Sequence, residues 1–373
     1  MINKIEIKNF KSLKDISIRP TNLNLLVGLN SMGKSSIIQS LLLLKQSYSK
    51  NNGIRQLNVN GDLISLGNSR DIFFQNADET DKLQINLSDE YETLKFSFKY
   101  DSTFPTFLEG DSFISDKLKM VLFSDECYYL NAIHISPSKI YKIADFGQDK
   151  MNLLGSMGEN APYYLAKHGN EEFTNKTLHH PKAKSKTLAH ELDAWLSEIS
   201  PGTKIVAQYL SEIDLVKINV QFETRTNEEG NPREEYSNEF APINVGLGIP
   251  HVLPLILLIL IAKPGNLILI ENPETHLHPR GQAQLGHLLS LAAESGIQIF
   301  CETHSDHVIN GARVAVKNKI IKPQNIKLFY FQKNEDATLE TVIDTINVDA
   351  KGEFDKYPKG LLDEWGDLMA QLL

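Results

Sequence analysis

The stretch Gly28-Leu-Asn-Ser-Met-Gly33-Lys34-Ser35 constrains the fold of this chain more than any other part of the sequence. It follows an apolar run, Asn22–Val27, and precedes a pattern of apolar residues at helical spacing. Glycines let the backbone curl so that successive N–H groups face one anion, and a helix start adds its positive end. The order of strand, glycine-bounded loop and helix predicts a loop that binds a nucleotide phosphate.

Two side chains of this loop have a predicted chemical role. Lys34 supplies a compact positive charge for the β- and γ-phosphates, and the Ser35 hydroxyl is a ligand for Mg²⁺. The alternative is a glycine turn with an incidental lysine. Average residue usage makes a chance match on the order of one in a hundred for a chain of this length, so we favour the nucleotide site.

Acidic and imidazole side chains follow two later apolar strands. Glu271 comes directly after the run Asn266–Ile270, with Glu274 close behind, and His304 follows the run Ile297–Cys301. Buried strands that alternate with helices predict a parallel sheet covered on both faces, and ligands bind beyond the carboxyl ends of such strands. Taken alone, the two glutamates fit ordinary loop acids, and His304 fits a structural histidine. With the phosphate loop, the pattern predicts a metal ligand at Glu271 and a γ-phosphate or water contact at His304.

Composition and charge narrow the class of protein. The chain has 373 residues, of which 41% are hydrophobic and 23% charged, as in globular proteins. Its two cysteines exclude a disulfide framework and favour a reducing cytosol. The longest apolar run, Val252–Ala262, contains Pro254 and is about half as long as a membrane-spanning helix. The net charge is −9, but the first fifty residues hold eight Lys/Arg and two Asp/Glu, which leaves a basic face available there.

Two other charged clusters carry weaker signals. His276 and His278 lack the accompanying ligands of a zinc site. The basic segment from His179 to Lys186 is interpreted as a solvated turn in preference to a nucleic-acid contact. We therefore predict neither a zinc site nor a nucleic-acid contact at these two clusters.

The regular pattern is interrupted in the middle of the chain. Residues 100–240 hold six prolines and no sustained heptad pattern, so a long coiled coil is excluded there. Helical patterns return at Gly246–Ala262 and Gly281–Ser295, and Gly360–Leu373 reads as an amphipathic helix. The predicted division is an N-terminal lobe of residues 1–100, an inserted subdomain of residues 101–240, a C-terminal lobe of residues 241–345 and a helical segment of residues 346–373.

Four segments in this order, GLNSMGKSS, NVGLGIPHVLP, LILIENPETHLHPRGQ and ETHSD, resemble the ABC-type ATPase heads of the structural-maintenance-of-chromosomes (SMC), RecF and overcoming-lysogenisation-defect (OLD) group. In particular, the chain is similar to short prokaryotic AAA-type ATPases with an uncharacterised C-terminal segment, which GLLDEWGDLMAQLL resembles. The likeness spans nearly the whole chain. It implies an α/β P-loop NTPase, with an ABC-ATPase head of mixed β-sheet flanked by helices, an inserted α+β subdomain, and ATP and Mg²⁺ as cofactors.

The resemblance also implies a role for each motif. The catalytic residues would be Lys34, the Walker B acid Glu271, Glu274 and the switch histidine His304. The metal would be held by Ser35, Glu271 and the Q-loop residue Gln75. The nucleotide would contact the Walker A loop and the signature glycines of a second subunit, that is Gly28, Asn30, Ser31, Gly33, Lys34, Ser35, Ser36, Asn244, Gly246 and Gly248.

The chain departs from the family pattern in the catalytic region. Asn272 stands where a catalytic glutamate usually follows the Walker B acid, and asparagine cannot act as a general base. Glu274 or His304 would then orient water, or hydrolysis would be slow. Walker B has Glu271 where aspartate is usual, and Ile249–His251 continue the signature where related proteins often have Ser and Gln.

A dimerising switch is the function that the resemblance implies. ATP would close a head-to-head homodimer or a higher oligomer, and hydrolysis would open it. The setting would be anti-phage defence in the cytoplasm, without a membrane. A separately encoded effector is expected because the roughly seventy residues after His304 lack a nuclease-like Asp-x-Asp pair.

Other functions remain as alternatives. The first is a RecF-like DNA-repair ATPase that binds DNA directly, with the basic first fifty residues as the contact, and DNA or RNA binding stays open for the switch as well. A transporter subunit and a non-catalytic nucleotide-binding scaffold are the others.

Overall fold

The computed structural model describes residues 1–78, 80–100, 105–114, 118–143, 153–226, 233–334 and 339–372. Within these residues the chain forms three β-sheets and seven α-helices. The strands are β1 Lys4–Phe10, β2 Leu13–Ile18, β3 Leu23–Gly28, β4 Ile54–Asn58, β5 Lys82–Ser88, β6 Thr93–Lys99, β7 Phe107–Ile114, β8 Cys127–Leu130, β9 Ile140–Lys142, β10 Thr203–Leu210, β11 Leu215–Thr226, β12 Arg233–Tyr236, β13 Leu267–Glu271, β14 Gln298–Glu302, β15 Ile326–Lys333 and β16 Thr341–Asn347. The helices are α1 Lys34–Ser47, α2 Ala161–His168, α3 Leu188–Ile199, α4 Gly248–Ile261, α5 Pro279–Glu294, α6 Asp306–Lys317 and α7 Glu364–Leu372.

The central sheet has the strand order β16-β15-β3-β14-β13-β8. All its pairs are parallel except β15 with β16. Successive residues of β3 point to opposite faces: Leu26 packs on the side of α1, whereas Leu25 and Val27 pack on the side of α4, α5 and α6. The predicted parallel sheet covered on both faces is confirmed.

Helix α1 is buried between two sheets. An antiparallel sheet with the order β2-β1-β5-β6-β7-β4 lies on its outer side, and one core joins Ile5 of β1, Leu41 of α1 and Phe300 of β14. A helix that is apolar over most of its surface is expected to be buried in this way. This packing fixes the start of α1 beside the end of β3.

The middle of the chain packs against the helix layer. Strands β9 to β12 form a third sheet, and Trp195 of α3, Val216 of β11 and Leu253 of α4 share one core. Two strands of the predicted insertion, residues 101–240, join other sheets: β7 pairs with β4 and β6, and β8 pairs with β13. In the charged stretch Thr226–Glu235, residues 227–232 lie outside the described residues.

The helices in the second half match the predicted ones within a few residues. The patterns at Gly246–Ala262 and Gly281–Ser295 correspond to α4 and α5, and the tail pattern contains α7. Among the described residues, no helix combines the length and apolar character that crossing a membrane requires.

Gly28 is required by the close approach of two strands. Its φ is +139°, and a Cβ at this position would lie 2.3 Å from the carbonyl oxygen of Phe331 on β15. We expect Gly28→Ala to lower the free energy of unfolding by roughly 3 kcal/mol or more. Denaturant unfolding measures this, with Gly246→Ala as the control, because a Cβ there would meet no atom within 4 Å. Equal stability of the two variants would contradict the packing described.

The half-buried Asp193 on α3 makes stability depend on pH. Burial raises the pKa of its carboxyl to about 6 from an ordinary value of 3.8, although it accepts a hydrogen bond from the Ile205 N–H at 2.9 Å. The folded state therefore gains stability from this proton below the unfolded pKa and loses it as the pH rises through about 6.

We expect Asp193→Asn, which keeps the acceptor oxygen, to stabilise the protein at neutral pH by roughly 1–3 kcal/mol and to have little effect near pH 4. Thermal unfolding at both pH values measures this, with the exposed Asp62→Asn as the control. A gain of the same size at both pH values would show that the titration of Asp193 is not its cause.

Candidate functional site

The phosphate loop leaves its backbone amides open at the end of the central sheet. β3 ends at Gly28 and α1 begins at Lys34. Ser31 and Gly33 have positive φ values of 62° and 90°, so the chain curls between the two elements. No side chain caps the first turn of α1. Unsatisfied N–H groups at a helix start are a ready site for an anion.

Lys34 lies folded back under this loop. Its Nζ donates hydrogen bonds to the carbonyl oxygens of Gly28 at 2.9 Å and Leu29 at 2.8 Å. Burial lowers the pKa of Lys34, and the negative charges of Glu302 and Glu274 oppose that shift. The ammonium group is thus held at the loop and beside two carboxylates.

A cavity of about 460 Å³ lies over the loop. Most of the predicted Walker A residues line it, together with the switch histidine. Four more lining residues were missed by the sequence reasoning, namely Lys11, Ser12, Gln39 and Glu302. The full lining is Lys11, Ser12, Asn30, Ser31, Gly33, Lys34, Ser35, Ser36, Gln39, Glu302 and His304.

Lys11 enters this cavity from the tight turn between β1 and β2. Its Nζ donates to Gln39 Oε1 of α1 at 2.6 Å, and its backbone φ is 51°. Burial lowers the pKa of Lys11, and the charge of Glu271 opposes this. The only sequence signal was a lysine in a turn between two strands, which is also an ordinary surface pattern.

Two acids end neighbouring strands beside the loop. Glu271 of β13 and Glu302 of β14 lie directly opposite each other in the parallel register. Ser35 Oγ donates to Glu302 Oε1 at 2.9 Å, whereas Glu271 accepts hydrogen bonds from the Tyr129 hydroxyl and the Ala132 backbone N–H. Burial, and next the charge of Glu302, raises the pKa of Glu271 to about 7.

Glu274 holds the switch histidine in place. Its Oε1 accepts the backbone N–H of His304 at 2.7 Å, and burial raises the pKa of its carboxyl. Burial lowers the pKa of His304, and Lys34 adds to this effect. The two predicted catalytic residues therefore form one unit next to Lys34.

Asn272 adopts a left-handed backbone conformation, with φ at 47°. Its N–H donates to the backbone carbonyl of Glu302 at 2.9 Å. Its side-chain oxygen and Glu302 Oε2 are both buried without a hydrogen-bond partner in the described part of the chain. Burying a polar atom without a hydrogen-bond partner costs free energy. A hydrated metal ion and a nucleotide would supply partners for these two atoms.

The described residues hold no group of three or more His, Cys, Asp or Glu side chains that would bind a metal ion alone. Mg²⁺ is usually held by one or two carboxylates together with phosphates and waters. The donors present, a serine hydroxyl and carboxylates, are of the type that Mg²⁺ prefers.

The remaining predicted residues lie away from the phosphate cavity in the described chain. Gln75 is exposed and does not line it. Asn244 and Gly246 precede α4, and Gly248 begins it, where a Cβ would lie 2.7 Å from the His276 carbonyl oxygen. The signature therefore packs against the loop that contains His276.

The C-terminal segment reaches the same region from the other side. A second cavity, of about 220 Å³, is lined by Gly28, Leu29, His304, Tyr330 and Leu361, among others. The Tyr330 hydroxyl donates to the backbone carbonyl of Lys359 at 2.8 Å, which ties this segment to β15. Sequence alone did not indicate this contact.

Comparison with known proteins agrees with this geometry. A family model described as AAA ATPase domain matches residues 1–150 and 135–309. A second, described as a protein of unknown function (DUF3696), matches residues 321–372. No curated protein sequence matches the chain significantly.

Solved structures of SMC head domains are similar to the chain. The SMC head domain from Thermotoga maritima is 12% identical with a TM-score of 0.47, covering 93% of this chain and 99% of that one. An SMC head bound to the C-terminal winged-helix domain of ScpA is 11% identical with a TM-score of 0.50, covering 93% and 98%. An SMC head with an extended coiled coil, bound to the C-terminal domain of ScpA derived from Pyrococcus furiosus, is 12% identical with a TM-score of 0.50, covering 100% and 99%.

The family model covers well over half of the chain, and the structural likeness confirms the predicted P-loop NTPase fold. The phosphate loop, the two acid-ended strands and the histidine at one sheet edge are the parts that such a fold places together. The chain belongs to the AAA ATPase domain family, and its fold is similar to that of SMC head domains.

Proposed function

We propose that the chain binds ATP with Mg²⁺ in the phosphate-loop cavity and hydrolyses it slowly. The observation that carries this proposal is the curled loop from Gly28 to Ser36, with its open amides and the ammonium group of Lys34 at one cavity. Bound Mg²⁺ would neutralise charge on the phosphate oxygens. Ser35 and the neighbouring carboxylates would hold it.

The residues near the γ-phosphate position support slow turnover. Glu274 fixes the backbone of His304, which lines the phosphate cavity. In this proposal Glu274 and His304 orient the attacking water. Asn272 supplies an amide that can hydrogen-bond water but cannot take its proton.

We further propose that two copies close around the nucleotide. Asn244, Gly246 and Gly248 do not line the phosphate cavity of their own chain. In this proposal a second chain brings them to the bound ATP. Leu29 in the phosphate loop is 61% exposed and Leu247 in the signature is 52% exposed. Apolar side chains at both predicted contact points are what an interface between these loops would bury.

An effector encoded separately, in anti-phage defence, is our proposal for the biological setting. Strands β15 and β16 follow His304 and form one edge of the ATPase sheet. These residues are therefore part of the ATPase head, and the described chain offers no separate nuclease fold there. The inference to defence itself rests on the resemblance.

The RecF-like alternative receives little support from the basic first fifty residues. Lys4, Lys8, Lys14 and Lys50 pair with carboxylates, and Lys11 donates to Gln39. Lys34 and Lys45 donate to backbone carbonyl oxygens inside the fold. Much of the positive charge in this lobe is thus paired or hydrogen-bonded within the chain, and less net charge is left to hold a phosphate backbone.

Lys34→Ala tests the nucleotide site. We expect ATP affinity to fall by at least about tenfold, and phosphate release to fall to background, because the charge facing the phosphates is removed. Calorimetric titration and phosphate release measure this. Lys50→Ala, on an exposed lysine just past the other end of α1, is the control and should behave as wild type. Unchanged ATP affinity in Lys34→Ala would exclude the proposed site.

Trapping the ATP state tests the dimer. Glu274→Gln keeps an acceptor for the His304 N–H but loses the negative charge, so ATP should stay bound and the apparent mass in gel filtration should double. The double variant Glu274→Gln/Gly246→Asp should remain monomeric with ATP, because a carboxylate would face the γ-phosphate of the partner. No mass increase in Glu274→Gln, or an equal increase in both, would contradict the proposed interface.

A further inference from the structure

The strand order places Glu302 nearer to the phosphate loop than Glu271, the predicted Walker B acid. β14 lies between β3 and β13, so Glu302 ends the strand next to the loop and Glu271 ends the strand beyond it. Neighbouring strands are about 4.8 Å apart. Glu271 therefore starts about one strand spacing farther from Ser35 than Glu302 does.

The two acids also differ in the direction of their hydrogen bonds: those of Glu302 lie towards the phosphate loop, and those of Glu271 lie away from it. Glu302 is 5% exposed, its Oε1 accepts the Ser35 hydroxyl at 2.9 Å, and its Oε2 has no partner in the described chain. Glu271 instead accepts from the Tyr129 hydroxyl and the Ala132 N–H, on the side of β8. Glu302 thus has one carboxylate oxygen beside Ser35 that accepts no hydrogen bond in the described chain. Glu271 accepts its hydrogen bonds from β8 and from the loop after it.

We infer that Glu302, and not Glu271, is the carboxylate that holds Mg²⁺ together with Ser35 in this chain. Glu271 is a positioning residue that ties β13 to β8 through Tyr129. The assignment rests on the proposed function, since the ion would arrive with ATP. A serine hydroxyl and a carboxylate that bond each other are placed to turn to one shared ion. Mg²⁺ needs few protein ligands besides phosphates and waters.

Asn272 fits the same assignment. In the family pattern the acids lie at the Walker B strand end, yet here the second position of that pair is an amide. The backbone N–H of Asn272 donates to the backbone carbonyl of Glu302 at 2.9 Å, which links the two strand ends just beyond their last residues. Glu302 therefore places a carboxyl group one strand closer to the phosphate loop than position 272.

Binding of ATP with and without Mg²⁺ tests the assignment, with wild type, Glu302→Gln and Glu271→Gln compared by calorimetric titration. All three should bind ATP in EDTA with similar affinity. In Glu302→Gln the gain in affinity on adding Mg²⁺ should shrink at least about tenfold. Glu271→Gln should keep most of the gain. Glu302→Asp keeps the charge, should restore part of the gain, and carries the test if Glu302→Gln does not fold.

The outcomes separate this assignment from the proposed function. A full Mg²⁺ gain in both Glu302 variants, or loss of the gain in Glu271→Gln alone, would overturn the role of Glu302 while leaving ATP binding established. Failure of the wild-type protein to bind ATP in either condition would overturn the proposed function and this assignment together.

Discussion

The parallel register of three neighbouring strands is the constraint on which the site depends. β3, β14 and β13 run side by side with Leu26, Glu302 and Glu271 at one level, and the phosphate loop starts two residues beyond Leu26. A slip of one residue would turn each side chain to the opposite face of the sheet. Because both faces bury apolar residues, the two cores fix this register, and with it the distance between the acids and the loop.

Charge balance explains why so many ionisable groups are buried at one edge. Glu271, Glu274 and Glu302 face Lys34 and Lys11, and burial shifts the pKa of every one of these groups towards its neutral form. Buried carboxylates need a compensating charge, and open helix amides need an anion. In the proposed function, a Mg²⁺-bound nucleotide would bring both signs to the places where each is missing. Its binding would therefore stabilise the folded state.

Local sequence patterns predicted the phosphate loop and the polar residues that follow two of the buried strands. The phosphate loop needs particular residues at fixed offsets, and Glu271 and His304 follow apolar runs that read as buried strands. Glu302 was missed because it reads only as the end of such a run. Its role depends on the pairing of β14 with β3, which brings it beside Ser35, 267 positions away in sequence. Lys11 was missed for the same reason, since it reaches Gln39 only when the first sheet packs on α1. Non-local pairing of this kind has no signature in one sequence.

A crystal structure with a Mn²⁺-bound nucleotide, in which anomalous scattering locates the ion, is the most direct test of the central claim. We predict the ion at about 2.1 Å from Ser35 Oγ, with Glu302 as the nearest carboxylate and the phosphates on the amides of the Gly28–Ser36 loop. An ion whose nearest carboxylate is Glu271, or a nucleotide bound away from this loop, would contradict it.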